Sequence, residues 1–500
     1  MNVNQSFWTT NRKSTYNKVN LHDTQIDYEN CKDKVQTYIS ENASEFYISS
    51  NLSHEERKKR LIDYILEYLN IYKPIVSGYI EAGELNQTLL SQKLIDDITN
   101  HGFLTEAMRD DTITEIRINE GCTPGGIWIE KHGKSLPLTD SFTGEYLYFK
   151  SPDEVDKFIN NLLKYSKISM STTDAIVNGS TLEGYRVAAA DSSVTARTKD
   201  ILNKTSTCVI RKFSGRKMTL RDLVAVKTIS SDMAKFLSVL TKVDLTCAVI
   251  GSTGSGKTIT LQAILEETPL NKRIILIQNP PEIDMSAVDE NGVLIRDIVT
   301  WEAKEFKGEL AKRASSPTYP HLMDHSLRFT PYVFVFGELR MDNQFVLSMK
   351  ASNTGHNFYT TFHSKTAEDA LNRYVTACLS GGNGSENLVL ENVCSNINFI
   401  ISQRRLADGT RKVIGIDEIC GIEVVDGYAK AKINPIFRFI PDESRGKNKD
   451  GTIKGVHAQV GTVSEQTKNL LLLSDATQEE FNIINRVIID NPIVSDYEIS

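Results

Sequence analysis

The chain has 500 residues, of which 40% are hydrophobic and 24% are charged, with a formal net charge of −7. This composition is typical of a folded, water-soluble protein and excludes an intrinsically disordered chain. The negative balance gives no overall attraction to nucleic acid, so we expect no specific nucleic-acid partner. The length exceeds what one ordinary core requires, and it therefore predicts several domains.

The sequence predicts a cytoplasmic protein. Its start, Met1-Asn-Val-Asn-Gln-Ser, has no basic segment followed by an apolar one, and no run reaches the roughly 18 apolar residues that a membrane span needs. The seven cysteines are scattered and never spaced as C-x-x-C, so neither a disulfide framework nor a zinc site is indicated. We expect most of them to be small buried hydrophobic side chains.

The first half of the chain predicts an extension and a domain. Residues 1–80 are polar and contain one amphipathic helical pattern at 55–72, so we expect a partly helical N-terminal extension. Residues 81–215 are predicted to form an α+β domain. Helical patterns open it, alternating apolar residues indicate strands at 112–119 and 126–130, and another strand is expected at 207–212.

The second half has the pattern of an α/β domain. We expect residues 216–440 to form a doubly wound P-loop domain, because helical patterns alternate with apolar runs of buried-strand length. These runs lie at 245–250, 273–277, 332–336 and 357–362. Residues 441–500 are predicted to form a C-terminal tail, with a mobile loop near Ser444 and a helix at 478–489.

A phosphate-binding loop is the most specific motif of the sequence. Gly251-Ser-Thr-Gly-Ser-Gly-Lys-Thr258 fits G-x-x-x-x-G-K-[ST] and lies between an apolar strand and a helical segment, as that motif requires. Its backbone N–H groups would hold the phosphates of ATP, Lys257 would reach the β and γ phosphates, and the Thr258 hydroxyl would bind Mg²⁺. The alternative is a plain glycine turn. The predicted nucleotide-binding residues are Gly251, Ser252, Thr253, Gly254, Ser255, Gly256, Lys257, Thr258 and Ile259.

Two carboxylates and two histidines follow the loop. Glu338 ends an apolar strand and Glu282 follows another, where a carboxylate can orient water or the water shell of a metal. Either could instead be a surface residue at a strand end. His356 and His363 flank a short apolar run, and taken alone each is more typical of a structural histidine than of a catalytic one.

Four segments in order resemble the secretion ATPase superfamily, the hexameric motors of type IV secretion, type II secretion and type IV pilus systems. They are the loop at 251–258, an acidic box ending at Glu282, a second acidic box at 327–340 and a histidine box at 351–363. The likeness extends upstream through the segments 110–119, 181–187 and 209–212. It implies a RecA-like motor domain preceded by an α+β N-terminal domain.

The resemblance also implies roles for particular residues. Lys257 and Thr258 would bind nucleotide and Mg²⁺, Glu338 would be the catalytic glutamate, and Glu282 would organise water and metal. His363, with His356 nearby, would sense the γ-phosphate. Arg186 and Arg211 match arginines of the N-terminal domain that approach the phosphates in this family, whereas the alternative is that both form surface ion pairs.

Two features depart from the family's usual pattern. Gln278-Asn279 stands where the first acidic box usually carries Glu-Asp, and amides cannot supply negative charge to Mg²⁺, so slow hydrolysis is one expected consequence. The four-cysteine element common in type II secretion and pilus-extension members is missing. With Gly337-Glu-Leu-Arg340, this favours the type IV secretion and conjugation branch.

The leading hypothesis is therefore an oligomeric, hexameric ATPase that hydrolyses ATP with Mg²⁺ to power a secretion, conjugation or type IV pilus apparatus. It would act from the cytoplasmic side, peripherally associated with the inner membrane and bound to inner-membrane components of that machine. Two alternatives stay open. One is a nucleotide-dependent switch or scaffold with little turnover, and the other is a DNA translocase, against which the acidic balance counts.

Overall fold

The computed structural model describes most of the chain. Expected features at residues 1–25, 43–53 and 213–216, and the end of the helix predicted at 478–489, lie outside the described residues. The described residues are 26–42, 54–77, 80–81, 84–85, 87–99, 101–141, 143–166, 168–181, 183–196, 204–212, 217–279, 281–291, 293–303, 317–382, 384–444, 446–486 and 492–497.

A small helical unit comes first. Helices α1 (Tyr28–Asn42), α2 (His54–Tyr72) and α3 (Gln87–Thr99) enclose an apolar cluster of their own, and the short strands β1 (Ile80–Glu81) and β2 (Glu84–Leu85) pair between α2 and α3. The helix expected at 55–72 is thus confirmed by α2. Apolar residues at helical spacing supply the buried face, for example Leu61, Ile65 and Leu69.

An antiparallel sheet of six strands forms the next domain, in the order β5-β4-β3-β8-β7-β6. Helix α4 (Thr105–Arg109) precedes this sheet, and helix α5 (Pro152–Leu163) begins at the N-cap Ser151 and buries Val155 and Ile159. The predicted strands are confirmed. The strands are β3 (Ile113–Ile118), β4 (Ile127–Lys131), β5 (Lys134–Pro137), β6 (Ile176–Ser180), β7 (Arg186–Ala190) and β8 (Thr207–Arg211).

The C-terminal half is built on a sheet of ten strands in the order β11-β10-β12-β13-β9-β14-β15-β16-β17-β18. The first six are parallel and the others pair in antiparallel fashion. The strands are β9 (Cys247–Gly251), β10 (Ile274–Gln278), β11 (Ile298–Glu302), β12 (Val333–Phe336), β13 (Asn357–Phe362), β14 (Phe399–Arg405), β15 (Arg411–Val425), β16 (Tyr428–Pro441), β17 (Gly455–Gln459) and β18 (Ile493–Ser495).

Helices cover both faces of this sheet, which explains why its central strands are apolar throughout. Cys247 and Val249 of β9 enter one core, whereas Ala248 and Ile250 enter the other. The expected α/β fold with a preceding α+β domain is confirmed. The helices are α6 (Leu220–Ala225), α7 (Ser231–Leu240), α8 (Lys257–Glu266), α9 (Tyr319–Ser326), α10 (Asp342–Asn353), α11 (Ala367–Ser380), α12 (Glu386–Asn396), α13 (Glu465–Leu472) and α14 (Gln478–Ile484).

Strands β17 and β18 extend the central sheet from the segment 441–500, where the sequence predicted a loop and a helix. Within the described ranges, no helix combines the length and the apolar character that crossing a bilayer requires.

Candidate functional site

The phosphate-binding loop connects β9 to α8. Gly254 and Gly256 have φ angles of +71° and +94°, a left-handed conformation that favours glycine. A Cβ at Gly251 would stand 2.1 Å from the carbonyl oxygen of Gln403 on the neighbouring strand. Because Gly256 is the N-cap of α8 and has no side chain, no side chain caps the N–H groups of the first turn. The loop is therefore shaped as a cradle for an anion.

Lys257 lies inside this cradle and is 7% exposed. Its Nζ donates to the carbonyl oxygen of Ser252 at 3.2 Å and lies 3.3 Å from His363 Nδ1. Burial lowers the pKa of Lys257 to about 8, and the carboxylates of Glu338 and Glu282 oppose this only in part. A bound phosphate group would place negative charge beside the ammonium group and favour its charged form.

Glu338 follows β12 and His363 follows β13, so two neighbouring parallel strands carry them to the same edge of the sheet. His363 Nε2 lies 3.2 Å from Glu338 Oε1, and its Nδ1 lies 3.1 Å from the carbonyl oxygen of Gly251. Arg340 donates to Glu338 Oε2 at 2.7 Å. Burial by itself would raise the pKa of Glu338, but Arg340, His363 and Lys257 outweigh it and lower that pKa.

Glu282 joins the two domains. It accepts hydrogen bonds from the Thr258 hydroxyl at 3.3 Å and from Arg186 Nη1 at 3.0 Å. Arg186 and Arg211 are directly paired residues on the adjacent strands β7 and β8. Register in the N-terminal sheet therefore brings both arginines to the P-loop domain, and Arg186 pairs inside the site.

Gln278, at the end of β10, turns its side chain toward the protein backbone. The amide oxygen accepts from the N–H groups of Glu282 and Ile283 at 2.8 and 2.7 Å, and the amide nitrogen donates to the Ile283 carbonyl oxygen at 2.8 Å. The side chain is 2% exposed. A carboxylate could not donate the third bond. The amide thus shapes the turn that carries Glu282.

Residues of both domains line one cavity of about 360 Å³. Predicted site residues on its wall are Arg211, Thr253, Gly254, Gly256, Lys257, Thr258, Ile259, Glu282, Glu338 and His363. Gly251 and Ser252 line a second cavity of about 400 Å³, together with Thr253 and His363. Ser255 is fully buried, and its hydroxyl has no hydrogen-bond partner among the described residues.

The structure separates the two histidines of the fourth box. His356 precedes β13 and His363 follows it, and His356 contacts Thr354 at 3.2 Å and the ring of Phe334. His356 is not among the residues that line these two cavities. The prediction that it lies near the γ-phosphate together with His363 is therefore wrong, because a six-residue strand separates the two side chains.

Several charged residues in or beside the cavity were not predicted from the sequence. Arg340 ends the second acidic box and pairs with Glu338, which lines the cavity. Glu130, Arg405 and Arg411 form an ion cluster on the cavity wall. One signal was available for Glu130. In β4 the core residues Ile127 and Ile129 alternate, which puts Glu130 on the opposite face of the sheet from the domain core.

Comparison with known proteins places the chain in a family. Residues 107–420 match the family described as "Type II/IV secretion system protein". The chain belongs to this family. The match runs from α4 into β15, so it includes every residue on the wall of the first cavity. The helical unit and the strands β16, β17 and β18 lie outside the match. The expected membership in the secretion ATPase superfamily is confirmed.

The individual proteins that match this chain are distant relatives. An uncharacterized protein of Methanocaldococcus jannaschii, MJ0900, is 26% identical over 296 residues, 58% of this chain and 48% of its own length. A second uncharacterized protein of that organism, MJ0781, is matched over 32% of its length. The chain thus spans less than half the length of each of these two proteins. The conjugal transfer protein TrbB of Rhizobium radiobacter is 25% identical over 335 residues, which are 66% of this chain and 90% of TrbB.

The solved structure of the ATPase DotB of Legionella pneumophila also matches. It aligns with a TM-score of 0.44 at 17% identity and covers 76% of this chain and 84% of that one.

Proposed function

We propose that this chain is an ATPase that hydrolyses ATP with Mg²⁺ to power a secretion, conjugation or type IV pilus apparatus. The observation that carries the proposal is the convergence of Lys257, Thr258, Glu282, Glu338 and His363 on one cavity, with Arg186 and Arg211 brought to it by the other domain. A cradle of backbone N–H groups, a buried ammonium and paired carboxylates are the groups that phosphoryl transfer to water requires.

The residues present fit a nucleotide and its metal. The loop glycines adopt left-handed or closely packed backbone positions that a side chain could not occupy without strain, and the buried Ser255 hydroxyl has no hydrogen-bond partner among the described residues. The Thr258 hydroxyl would bind Mg²⁺, with Glu282 3.3 Å away to hold its water shell, and the metal would neutralise charge on the phosphate oxygens. No described cluster of three or more acidic, His or Cys side chains is suited to a metal, so phosphates and water would supply the other ligands.

Each remaining group then has a part in the reaction. Glu338, whose lowered pKa keeps it ionised at neutral pH, would orient the attacking water and accept its proton. His363 lies between Glu338 and Lys257 and would detect whether the γ-phosphate is present. Arg186 and Arg211 would stabilise negative charge in the transition state and link the position of the N-terminal domain to the bound nucleotide.

The proposal extends to assembly and place. We infer a homo-oligomer, which the family resemblance implies to be a hexamer, acting at the cytoplasmic side of the inner membrane on membrane components of the machine. The TrbB relative, a conjugal transfer protein aligned over 90% of its length, supports the conjugation and type IV secretion branch.

A second function is favoured by the ion pairs of the site. Both carboxylates are held by arginines, Glu338 by Arg340 and Glu282 by Arg186, so each arginine competes with a water molecule for the same carboxylate. A protein that keeps these pairs with ATP bound would be a nucleotide-dependent switch or scaffold with little turnover.

Steady-state ATP hydrolysis across a range of protein concentrations separates the two functions. The motor predicts turnover per subunit that rises as the protein assembles, as followed by light scattering. It also predicts a loss of about 100-fold or more in Lys257→Ala and Glu338→Gln. Glu368→Gln, at an exposed position of α11, is the matched control and should keep full activity. If the wild type binds ATP and assembles but hydrolyses no faster than Glu338→Gln, the switch replaces the motor.

A further inference from the structure

An ion cluster joins the two domains at the wall of the nucleotide cavity. Glu130 of β4 is 8% exposed and pairs with Arg405 Nη1 at 2.9 Å, with Arg117 Nη2 at 3.2 Å and with Arg411 Nη2 at 3.5 Å. The Thr114 hydroxyl donates a further hydrogen bond at 3.2 Å. One nearly buried carboxylate of the N-terminal domain thus holds two arginines of the P-loop domain.

Those two arginines flank the turn between β14 and β15 and lie against the phosphate-binding loop. Arg411 Nε donates to the Gly254 carbonyl oxygen at 2.9 Å, and a Cβ at Gly256 would meet Arg411 Cδ at 3.2 Å. Arg405 donates to the Gly133 carbonyl oxygen of the N-terminal domain. Both guanidinium groups therefore stand where they can reach either Glu130 or an anion in the loop.

The backbones of the two domains also touch at this turn. A Cβ at Gly133 would lie 2.7 Å from the Gly409 carbonyl oxygen. The ion cluster and this backbone contact stabilise one arrangement of the domains.

The charge of the cavity makes this arrangement sensitive to an anion. Its wall carries more cations than carboxylates, namely Arg117, Arg211, Lys212, Lys217, Lys257, Arg405 and Arg411 against Glu115, Glu130, Glu282 and Glu338. Nucleotide phosphates bring several negative charges into a partly buried site, where electrostatic interactions are stronger than in water. They would compete with Glu130 for the two arginines.

We propose that Arg405 and Arg411 are additional phosphate-binding residues, and that Glu130 holds them in the absence of nucleotide as an interdomain clamp. Binding of nucleotide transfers the guanidinium groups from Glu130 to the phosphates and loosens the contact between β4 and the β14–β15 turn. Glu130 is thus a positioning residue that couples nucleotide binding to the arrangement of the domains. This inference rests on the proposed nucleotide site.

Equilibrium binding of ADP and of a non-hydrolysable ATP analogue, both with Mg²⁺, tests the clamp. Glu130→Gln keeps the shape of the side chain but removes its charge, so it should bind both nucleotides about tenfold more tightly than the wild type. Glu115→Gln is the matched control. It removes the same charge from the same wall, but Glu115 pairs with Arg117 of its own strand, so binding should change by less than about twofold.

A double-mutant cycle adds a test that general electrostatics would not pass. The double variant Arg405→Gln/Arg411→Gln should weaken binding about tenfold or more, and in that background Glu130→Gln should lose most of its effect because both of its partners in the P-loop domain are gone. Should Glu130→Gln fail to fold, as a loss of its thermal transition would show, Arg405→Gln and Arg411→Gln must both weaken binding.

The domain arrangement supplies an independent readout. Spin labels on cysteines at the exposed positions Lys134 and Ala407, with Cys122 and Cys420 replaced by serine, report the separation of the two surfaces. The distance should change when ADP is added to the wild type, and in Glu130→Gln it should already be shifted without nucleotide.

The clamp would be overturned by equal tightening in Glu115→Gln, by unchanged or weaker binding in Glu130→Gln, by a full effect of Glu130→Gln in the variant that lacks both arginines, or by a spin-label distance that ADP does not change. A wild-type protein that binds no nucleotide would instead contradict the proposed function, so the two failures are distinguishable.

Discussion

Gln278 shows how one buried side chain can reverse an interpretation based on its type. From the sequence, an amide at this position indicated a lost charge near Mg²⁺. In the structure its three hydrogen bonds go to the backbone of Glu282 and Ile283, and both the donor and the acceptor of the amide are used. The residue therefore fixes the turn that carries Glu282.

Gln278→Glu should consequently impair the protein. A carboxylate would face the Ile283 carbonyl oxygen without a proton to donate, which costs about 1–3 kcal/mol for a buried group. We expect a lower melting temperature and a roughly tenfold loss of ATP turnover. Gln278→Met removes all three bonds, whereas the carboxylate of Gln278→Glu can still accept from the two N–H groups, so the methionine variant should lose at least as much of both. Higher ATP turnover in Gln278→Glu than in the wild type would contradict this expectation. It would indicate that a negative charge at position 278 assists Mg²⁺.

Lys257 should make nucleotide binding depend on pH. Burial lowers its pKa to about 8, so at pH 9 most of the free protein has lost this proton, and binding of phosphate must restore it. Affinity for MgADP should therefore be constant below pH 7 and fall by about tenfold per pH unit above pH 8. Calorimetry in buffers of different ionisation enthalpy should show uptake of about one proton at pH 8.5.

The control for this measurement is Lys212, which lies on the same wall and whose pKa burial also lowers to about 8. Lys212→Arg is permanently charged and should keep the proton uptake. If the uptake disappears in Lys212→Arg, the pH dependence belongs to Lys212 and the assignment to Lys257 is wrong.

Among the elements of the fold, strand register builds the site. The pairing of β7 with β8 places Arg186 beside Arg211, and the neighbouring strands β12 and β13 lead to Glu338 and His363.

Strand β17, near the C-terminus, contains a buried histidine outside the site. His457 is fully buried, donates from Nε2 to the Val413 carbonyl oxygen at 2.9 Å and accepts at Nδ1 from the Tyr497 hydroxyl at 3.0 Å.

Attachment of β17 should therefore weaken in acid. Burial lowers the pKa of His457 to about 4, so between pH 6.5 and pH 4 the unfolded segment binds a proton that the folded one does not. The stability from the neutral ring is complete above pH 6.5 and is lost as the pH falls toward 4, at most about 3 kcal/mol.

Hydrogen exchange of residues 455–459, corrected for intrinsic rates, should accelerate between pH 6.5 and pH 4.5 in the wild type. In His457→Gln, which can donate and accept the same two bonds, this acceleration should be much smaller. His132→Asn, at an exposed turn with positive φ, is the control and should behave as the wild type. Equal acceleration in His457→Gln would show that another group causes the acid sensitivity.

For the molecule as a whole, the helical unit is separate from the machinery of the cavity. Among the described residues, the buried members of its core lie between Cys31 and Ile98, and no described residue before Thr114 lines the nucleotide cavity. The unit touches the next domain through the ion pair of Asp33 with Lys164. The unit thus stands apart from the nucleotide chemistry.

A chain that starts at His101 should therefore keep nucleotide binding, with a dissociation constant for MgADP within about twofold of the full chain. Fluorescence titration measures this, and a cooperative melting transition controls for folding. A folded truncated protein that binds more than tenfold more weakly would show that the helical unit supports the cavity. Asp33→Asn in the full chain tests whether the ion pair alone transmits such an effect.

Much of the fold and part of the site could be predicted from local sequence. The phosphate-binding loop, the strands β9, β10, β12 and β13, and the helix α2 each depend on residues within a short window. Backbone conformation and periodic burial act over that range. The end of its strand indicated Glu338 as a candidate carboxylate, whereas the expected role of His363 came from the resemblance to the secretion ATPase superfamily.

Other features depended on contacts between distant parts of the chain. Glu130 and Arg405 are 275 residues apart in sequence, and only the packing of two domains makes them partners. The backbone bonds of Gln278 and the strands that β17 and β18 add to the sheet likewise have no local pattern of their own. Residue types and local periodicity thus determined the elements and the chemistry of the loop. Tertiary packing decided which charges face each other, since electrostatic energy depends on distance and burial.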